Sequence, residues 1–184
     1  GQNPLTLFAG GIPLEDLYGK TFKGGLIFYL NTVDGTGYVA ATEDQSSGTI
    51  WGCFLTDIVG LNNVEDCPDD CNQPEPEETI EGARVGDGKA NTDAILAECN
   101  ESGIAAKLCR NLGQDWFLPS RGELNLMYNN LFLNGHGNFE DNSFWFWSST
   151  EISAVNVWSV PFSSGRFDND DKSNLRPVRA ALAF

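Results

Sequence analysis

The chain has 184 residues, 41% of them hydrophobic and 11% aromatic, which supplies the core of one folded domain and excludes a wholly disordered chain. Its formal net charge of −15 excludes nucleic acid as a partner, since phosphate binding draws its affinity from Lys and Arg, and it opposes docking on an anionic membrane. No apolar run is long enough to cross a bilayer, so direct membrane insertion is not expected. The start, Gly1-Gln2-Asn3-Pro4, does not read as a signal peptide; export would imply a leader already removed.

Taken in chain order, residues 1–20 are mixed and read as an N-terminal extension. Gly24 to Leu30 is apolar, β-branched and aromatic and predicts a strand; Asp34-Gly-Thr-Gly37 is a turn signal; Tyr38 to Ala41 closes a hairpin. From about 54 to 88 the chain is rich in Asn, Asp, Glu, Pro and Gly without periodicity and reads as a loop insertion in a single domain spanning 1–184. Many of its acids lie between Glu65 and Glu81, among them Asp66, Asp69, Asp70, Glu75, Glu77 and Glu78. Helical periodicity begins at Asn91, with Ile95, Leu96 and Cys99 on one face, breaks at Gly103, and continues through Ala105, Leu108, Cys109 and Leu112.

Asp115 to Leu118 predicts a short strand. After it, Ser120 and Glu123 have the spacing of a capping box, and Leu124, Met127, Tyr128 and Leu131 form one buried stripe. Beyond residue 143 the character is β. Phe144 to Thr150, Val157 to Val160 and Pro177 to Leu182 read as strands, and Ser163 to Asp171 as a loop. Two helical stretches between β-rich ends predict an α+β class. Trp116 and Trp147 are expected in the core, and Arg176 and Arg179 in structural roles beside acids.

Five cysteines leave at least one thiol unpaired within a monomer. Cys67 and Cys71 flank Pro-Asp-Asp in the polar loop. They admit a small disulfide outside the cytoplasm, two free thiols, or a zinc site short of ligands, since the lone histidine, His136, is distant in sequence. Cys109 reads as a buried small hydrophobe.

Eight ordered phrases carry a family resemblance: Gly24-Gly-Leu-Ile-Phe-Tyr, Ala40-Ala-Thr-Glu-Asp-Gln45, Gly88-Lys-Ala-Asn-Thr92, Ala105-Ala-Lys-Leu-Cys109, Asp115-Trp-Phe-Leu-Pro-Ser120, Glu123-Leu-Asn-Leu-Met-Tyr128, Trp147-Ser-Ser-Thr-Glu151 and Arg176-Pro-Val-Arg-Ala180. Over roughly residues 24 to 184 the chain resembles the DUF1566 family, also described as the C-terminal domain of a Legionella collagen-like protein. The resemblance implies a C-type-lectin-like fold, two helices on small antiparallel sheets with long irregular loops. It also implies a non-catalytic recognition role on a bacterial or phage surface. Some proteins of this kind are variable targets of diversity-generating retroelements, randomised between a Trp-Ser-Ser-Thr-Glu phrase and a terminal Arg-x-Val-Arg-Ala phrase. Here that interval is Ile152 to Leu175, with Trp158, Phe162, Gly165, Asn169 and Lys172 as fixed points. Randomising the first two bases of AAC never yields Lys, Glu, Gln, Met or Trp. From Ile152 to Asp171 the first four are absent, and the one Trp is the fixed point Trp158.

The expected ligand-binding set is therefore Ile152, Ser153, Val155, Trp158, Ser159, Pro161, Ser163, Arg166, Phe167, Asp168 and Asp170, with Arg166 and Phe167 as anchors among small polar groups. Such a mixture fits a protein or glycan ligand on another cell or host surface, and places the domain outside the cell or on its surface. The Asp168-Asn-Asp-Asp171 run lacks the Gly and the distant Glu of an EF-hand and reads as solvated charge. No metal or cofactor is expected. Nor is catalysis: His136 sits alone in Asn134-Gly-His-Gly-Asn138 with no nucleophile beside it in sequence. A structural or assembly module of a pilus or adhesin is the alternative.

Overall fold

The computed structural model describes residues 1–65, 80–139 and 145–184. Cys67, Cys71 and most of the insertion's acids lie outside them. The N-terminal stretch is structured: α1 (Pro4–Ala9) is capped by the Asn3 side chain, which accepts from the Leu5 N–H at 2.9 Å. The two-residue β1 (Thr21–Phe22) then turns back onto β2 (Gly25–Leu30), and β2 forms the expected hairpin with β3 (Gly37–Ala40). A short β4 (Ser46–Thr49) follows before the irregular region.

Two helical segments come next, α2 (Gly88–Glu98) and α3 (Ala105–Arg110), separated at Gly103 as the sequence predicts. Ile95, Cys99 and Cys109 are all fully buried. A two-residue β5 (Trp116–Phe117) leads into α4 (Arg121–Asn130). Ser120 accepts from the Glu123 N–H while the Glu123 carboxylate accepts from the Ser120 N–H, a complete capping box. The stripe of Leu124, Met127, Tyr128 and Leu131 is buried as its spacing requires.

The remaining elements are β6 (Trp145–Glu151), β7 (Asn156–Pro161), β8 (Asp168–Asp171), β9 (Arg176–Val178) and β10 (Ala181–Ala183). They depart from expectation in two places. Asp168–Asp171 has almost no strand propensity, yet its backbone pairs antiparallel with β7, so the ladder outweighs composition. The single strand expected over Pro177 to Leu182 is split. β9 pairs with β4, whereas β10 inserts between β3 and β5 in a second sheet. The switch is fixed by Arg179, whose buried guanidinium donates to the carbonyls of Ala41 and Gly137 and to Asp44.

All strand pairings are antiparallel, in sheets ordered β1-β2-β3-β10-β5, β4-β9 and β6-β7-β8, so the class is α+β. Two apolar clusters form the interior. One gathers Phe28, Phe117, Leu124, Met127, Phe146 and Phe162; the other gathers Trp51, Ile95, Leu118, Trp147, Val157 and Val178. Strand β6 serves both, because successive side chains point to opposite faces: Phe146 enters the first and Trp147 the second. Trp116, expected inside, is only half-buried.

Polar residues of β6 are buried too. The Ser148 hydroxyl donates to the Trp158 carbonyl at 2.6 Å, Ser149 accepts from the Asn91 amide at 3.2 Å, and Thr150 donates to the Gly82 carbonyl at 2.9 Å. Each hydroxyl is thereby satisfied, the condition under which burial of a polar group costs little. The Thr150 bond attaches the later described end of the 54–88 segment to the core, and the Val64 N–H, which donates to the Glu151 carbonyl at 2.9 Å, attaches the earlier one. Ile58, Val64 and Ala83 are buried, so the described ends are built into the interior.

Candidate ligand-binding face

The expected contact set divides into an outer and an inner half. Ile152, Ser153 and Val155 form a half-buried turn, in which the Ser153 hydroxyl accepts from the N–H groups of Val155 and Asn156 at 3.2 and 3.1 Å. Ser163, Arg166 and Asp168 are exposed. The turn that presents Ser163 and Arg166 is held from inside: the Pro161 carbonyl accepts from Ser164 and Gly165, and Gly165 has φ 69° directly against the Tyr128 ring. A Cβ at Gly165 would lie 2.1 Å from that ring.

The other five face inward. Ser159 and Pro161 are buried, and Ser159 donates to the Asp168 carbonyl at 3.3 Å. Trp158 is 5% exposed, and its indole Nε1 donates to the Val64 carbonyl at 2.7 Å. Phe167 is 6% exposed, which removes it as a protruding anchor. Its ring lies 4.8 Å from the guanidinium of Arg121, which sits 4.7 Å from the Trp158 ring on another side. Arg121 is itself fully buried, so the two aromatics supply part of the environment its charge needs away from water. Asp170 is buried against Arg176 at 2.5 Å and the Asn174 amide at 2.6 Å, and Arg176 in turn lies 5.0 Å from the Trp145 ring. It is a pairing group within the fold.

Behind the β7–β8 face lies a second buried ion pair. The Lys172 ammonium donates to the Glu151 carboxylate and to the Thr56 carbonyl, and lies 4.7 Å from the Trp51 ring. Glu151 also accepts from the Ile58 N–H. Both side chains are fully buried, and burial pushes the Glu151 carboxyl above its usual range while Lys172 pulls the other way. This pair ties β6, the residue after β8 and the 56–58 backbone into one unit. Arg121, Glu151 and Trp51 were not singled out from sequence as supports of this face. An Arg in the first turn of a helix is ordinarily exposed, and nothing local marks this one as buried.

Glu123 is the other buried carboxylate. It accepts from the N–H groups of Gly86 and Ser120 at 2.9 and 2.8 Å, and burial raises it to about 7. Cys53 and Cys99 form a disulfide across 46 residues, and Cys109 is a buried free thiol, pushed up by its apolar surroundings. Among the described residues, Cys53, Cys99 and Glu101 cluster as metal ligands do, but the two sulfurs are bonded to each other. A depression of about 450 Å³ opens elsewhere, lined by Glu43, Gln45, Asn111 and Trp116, and includes none of the expected set. His136 is exposed and its ring covers Gly19. No helix among the described residues is long and apolar enough to cross a membrane.

No protein-family model matches the sequence, and no curated protein matches it. The fold is similar to the crystal structure of a fimbrial protein from Bacteroides ovatus, with a TM-score of 0.52 and 17% identity. The similarity covers 80% of this chain and 36% of that one, so this chain spans about a third of that protein's length.

Proposed function

We propose that this chain is a non-catalytic module of a bacterial fimbrial or adhesin-type surface protein, contributing structural or assembly contacts. The observation that carries this reading is the fold likeness to a fimbrial protein over 80% of the chain. The Cys53–Cys99 disulfide agrees with it, because such bonds persist in oxidising compartments outside the cytosol. The test is fractionation of the cells that make the protein, followed by mechanical shearing. The chain is expected in the sheared surface fraction with Cys53 and Cys99 oxidised. Recovery in the cytosol with both thiols reduced would end the proposal.

A second reading keeps ligand recognition as the role, on a C-type-lectin-like scaffold of the kind the sequence phrases resemble. What favours it is the rigid backing of the Ser163–Asp168 turn by the Tyr128 ring against Gly165 and by Phe167 beside the buried Arg121. On this reading the contact set shrinks to Ile152, Ser153, Val155, Ser163, Arg166 and Asp168, since change at Trp158, Ser159, Pro161, Phe167 or Asp170 disturbs the interior. Retroelement-driven variation among related genes would then concentrate at the outer six. Equal variation at the inner five would exclude it.

A further inference from the structure

The loop from Cys53 to Leu61 makes two consecutive tight turns, closed by Thr56 N–H to the Cys53 carbonyl and Leu61 N–H to the Ile58 carbonyl, each at 3.1 Å. Their tips carry Phe54, Leu55 and Val59, which are 42%, 69% and 77% exposed. In the second turn the left-handed position is taken by Gly60, at φ 91°, as such turns prefer. In the first it is taken by Leu55, at φ 68°, two residues after Cys53, which is itself at φ 48°. A leucine there is strained where glycine is free, and an exposed leucine returns little burial to the fold in compensation.

The loop is nevertheless held rigidly. The disulfide fixes Cys53 to Cys99, Glu101 accepts from the Cys53 N–H at 2.9 Å, and Glu98 accepts from the Val59 N–H at 3.0 Å. The buried Lys172–Glu151 pair grips Thr56 and Ile58 from beneath. Three large apolar side chains are thus locked into water on a strained frame. Strain combined with exposure is the mark of a surface shaped for contact.

We propose that the Cys53–Leu61 loop is a preformed apolar knob that docks into a different protein, through an apolar cleft bordered by Lys and Arg. The charge around the knob selects that partner. Asp57, Glu98 and Glu101 are exposed at its rim, against the single ammonium of Lys107, which reaches the Glu101 carbonyl. A second copy would bring the same negative rim from a chain of net charge −15, and an anionic lipid surface would be repelled likewise. The proposal deepens the fimbrial reading by supplying an assembly contact, and rests on that reading only for the neighbour's identity.

The test is site-specific photocrosslinking in the cells that make the full protein. Benzoylphenylalanine is placed at Phe54 or, as a control, at Val33, which is 91% exposed elsewhere on the molecule. The expected result is one protein adduct at position 54 and none at 33, joined through a peptide rich in Lys or Arg. Its yield should fall with added salt. It should also fall at least about tenfold in the Leu55→Asn/Val59→Ser variant, because asparagine tolerates the left-handed backbone while removing the apolar contact. Thermal unfolding of that variant checks that the fold is retained; if it is not, Val59→Ser alone serves. Equal adducts at both positions, an adduct to a second copy or to lipid, or no adduct would overturn the docking proposal. An adduct to a protein that is not a filament subunit would leave docking standing and remove the fimbrial reading. Presence in the sheared fraction without an adduct at 54 would do the reverse.

Discussion

The segment 152–171 and the loop 53–61 each invert what their composition suggests. The first is polar and small, yet it sends Trp158, Ser159, Phe167 and Asp170 into the interior. The second carries Phe54, Leu55 and Val59 and leaves them in water. What separates them is the set of buried charges underneath. Asp170–Arg176, Arg121 between two rings and Glu151–Lys172 pull the first segment inward and prop the second outward. Lys172 is where the two meet, reaching Thr56 of the loop from the end of β8.

The contrast breaks first at that meeting point. Lys172→Met leaves Glu151 buried without its cation, and is expected to cost about 3–5 kcal/mol in urea unfolding at pH 7. Adding Glu151→Gln, which still accepts from Ile58, should recover most of the loss, since the pair as a unit contributes less than either half alone is missed. A double variant as unstable as the single one would mean that the loop and the segment are not coupled through this charge.

Within the segment, Phe167→Ala should cost about 3 kcal/mol, as for a large aromatic removed from a packed interior, while its neighbour Arg166→Ala should stay within about 0.5 kcal/mol. Equal effects at the two positions would erase the division into outer and inner halves. Glu123 sharpens the comparison from the other side, as a buried carboxylate with backbone donors and no cation among its hydrogen bonds. Its carboxyl is raised to about 7 in the fold, so the protonated form is the favoured one there. Stability from this group is fully present below about pH 4.5 and is lost as pH rises to about 7, by at most about 3 kcal/mol. Chemical unfolding between pH 4.5 and 8 should show that decline, and Glu123→Gln should flatten it.

Much of the scaffold was legible because its signals are local. The capping box at Ser120 and Glu123, the stripe through Leu131 and the turn at Asp34–Gly37 each name their element within a few residues. The face was half legible. Ser163, Arg166 and Asp168 are outward as their chemistry suggests, but Phe167 follows a cation fixed 46 positions earlier on α4, and no local pattern encodes that distance. The Cys53–Cys99 bond was hidden for the same reason. Spacing in sequence draws attention to Cys67 and Cys71, which lie outside the described residues, and gives no sign that Cys53 meets Cys99 at the end of α2 across 46 residues. The short polar phrase Ser148-Ser-Thr-Glu151 misleads most, since only the partners it meets at Trp158, Asn91, Gly82 and Lys172 make its burial affordable.

The smallest effect tests the loop by its own backbone. Leu55→Gly removes an exposed side chain and relieves φ 68°, so two terms act in opposite directions. Glycine in the unfolded chain gains freedom that folding must remove, a cost of about 0.5–1 kcal/mol. Release of the left-handed strain returns about 1–2 kcal/mol. The balance favours the variant by up to about 1.5 kcal/mol, read as a rise in Tm. A fall in Tm instead would mean that the Leu55 side chain supports the fold from the surface, and the argument that its strain is kept for a partner would lose its footing.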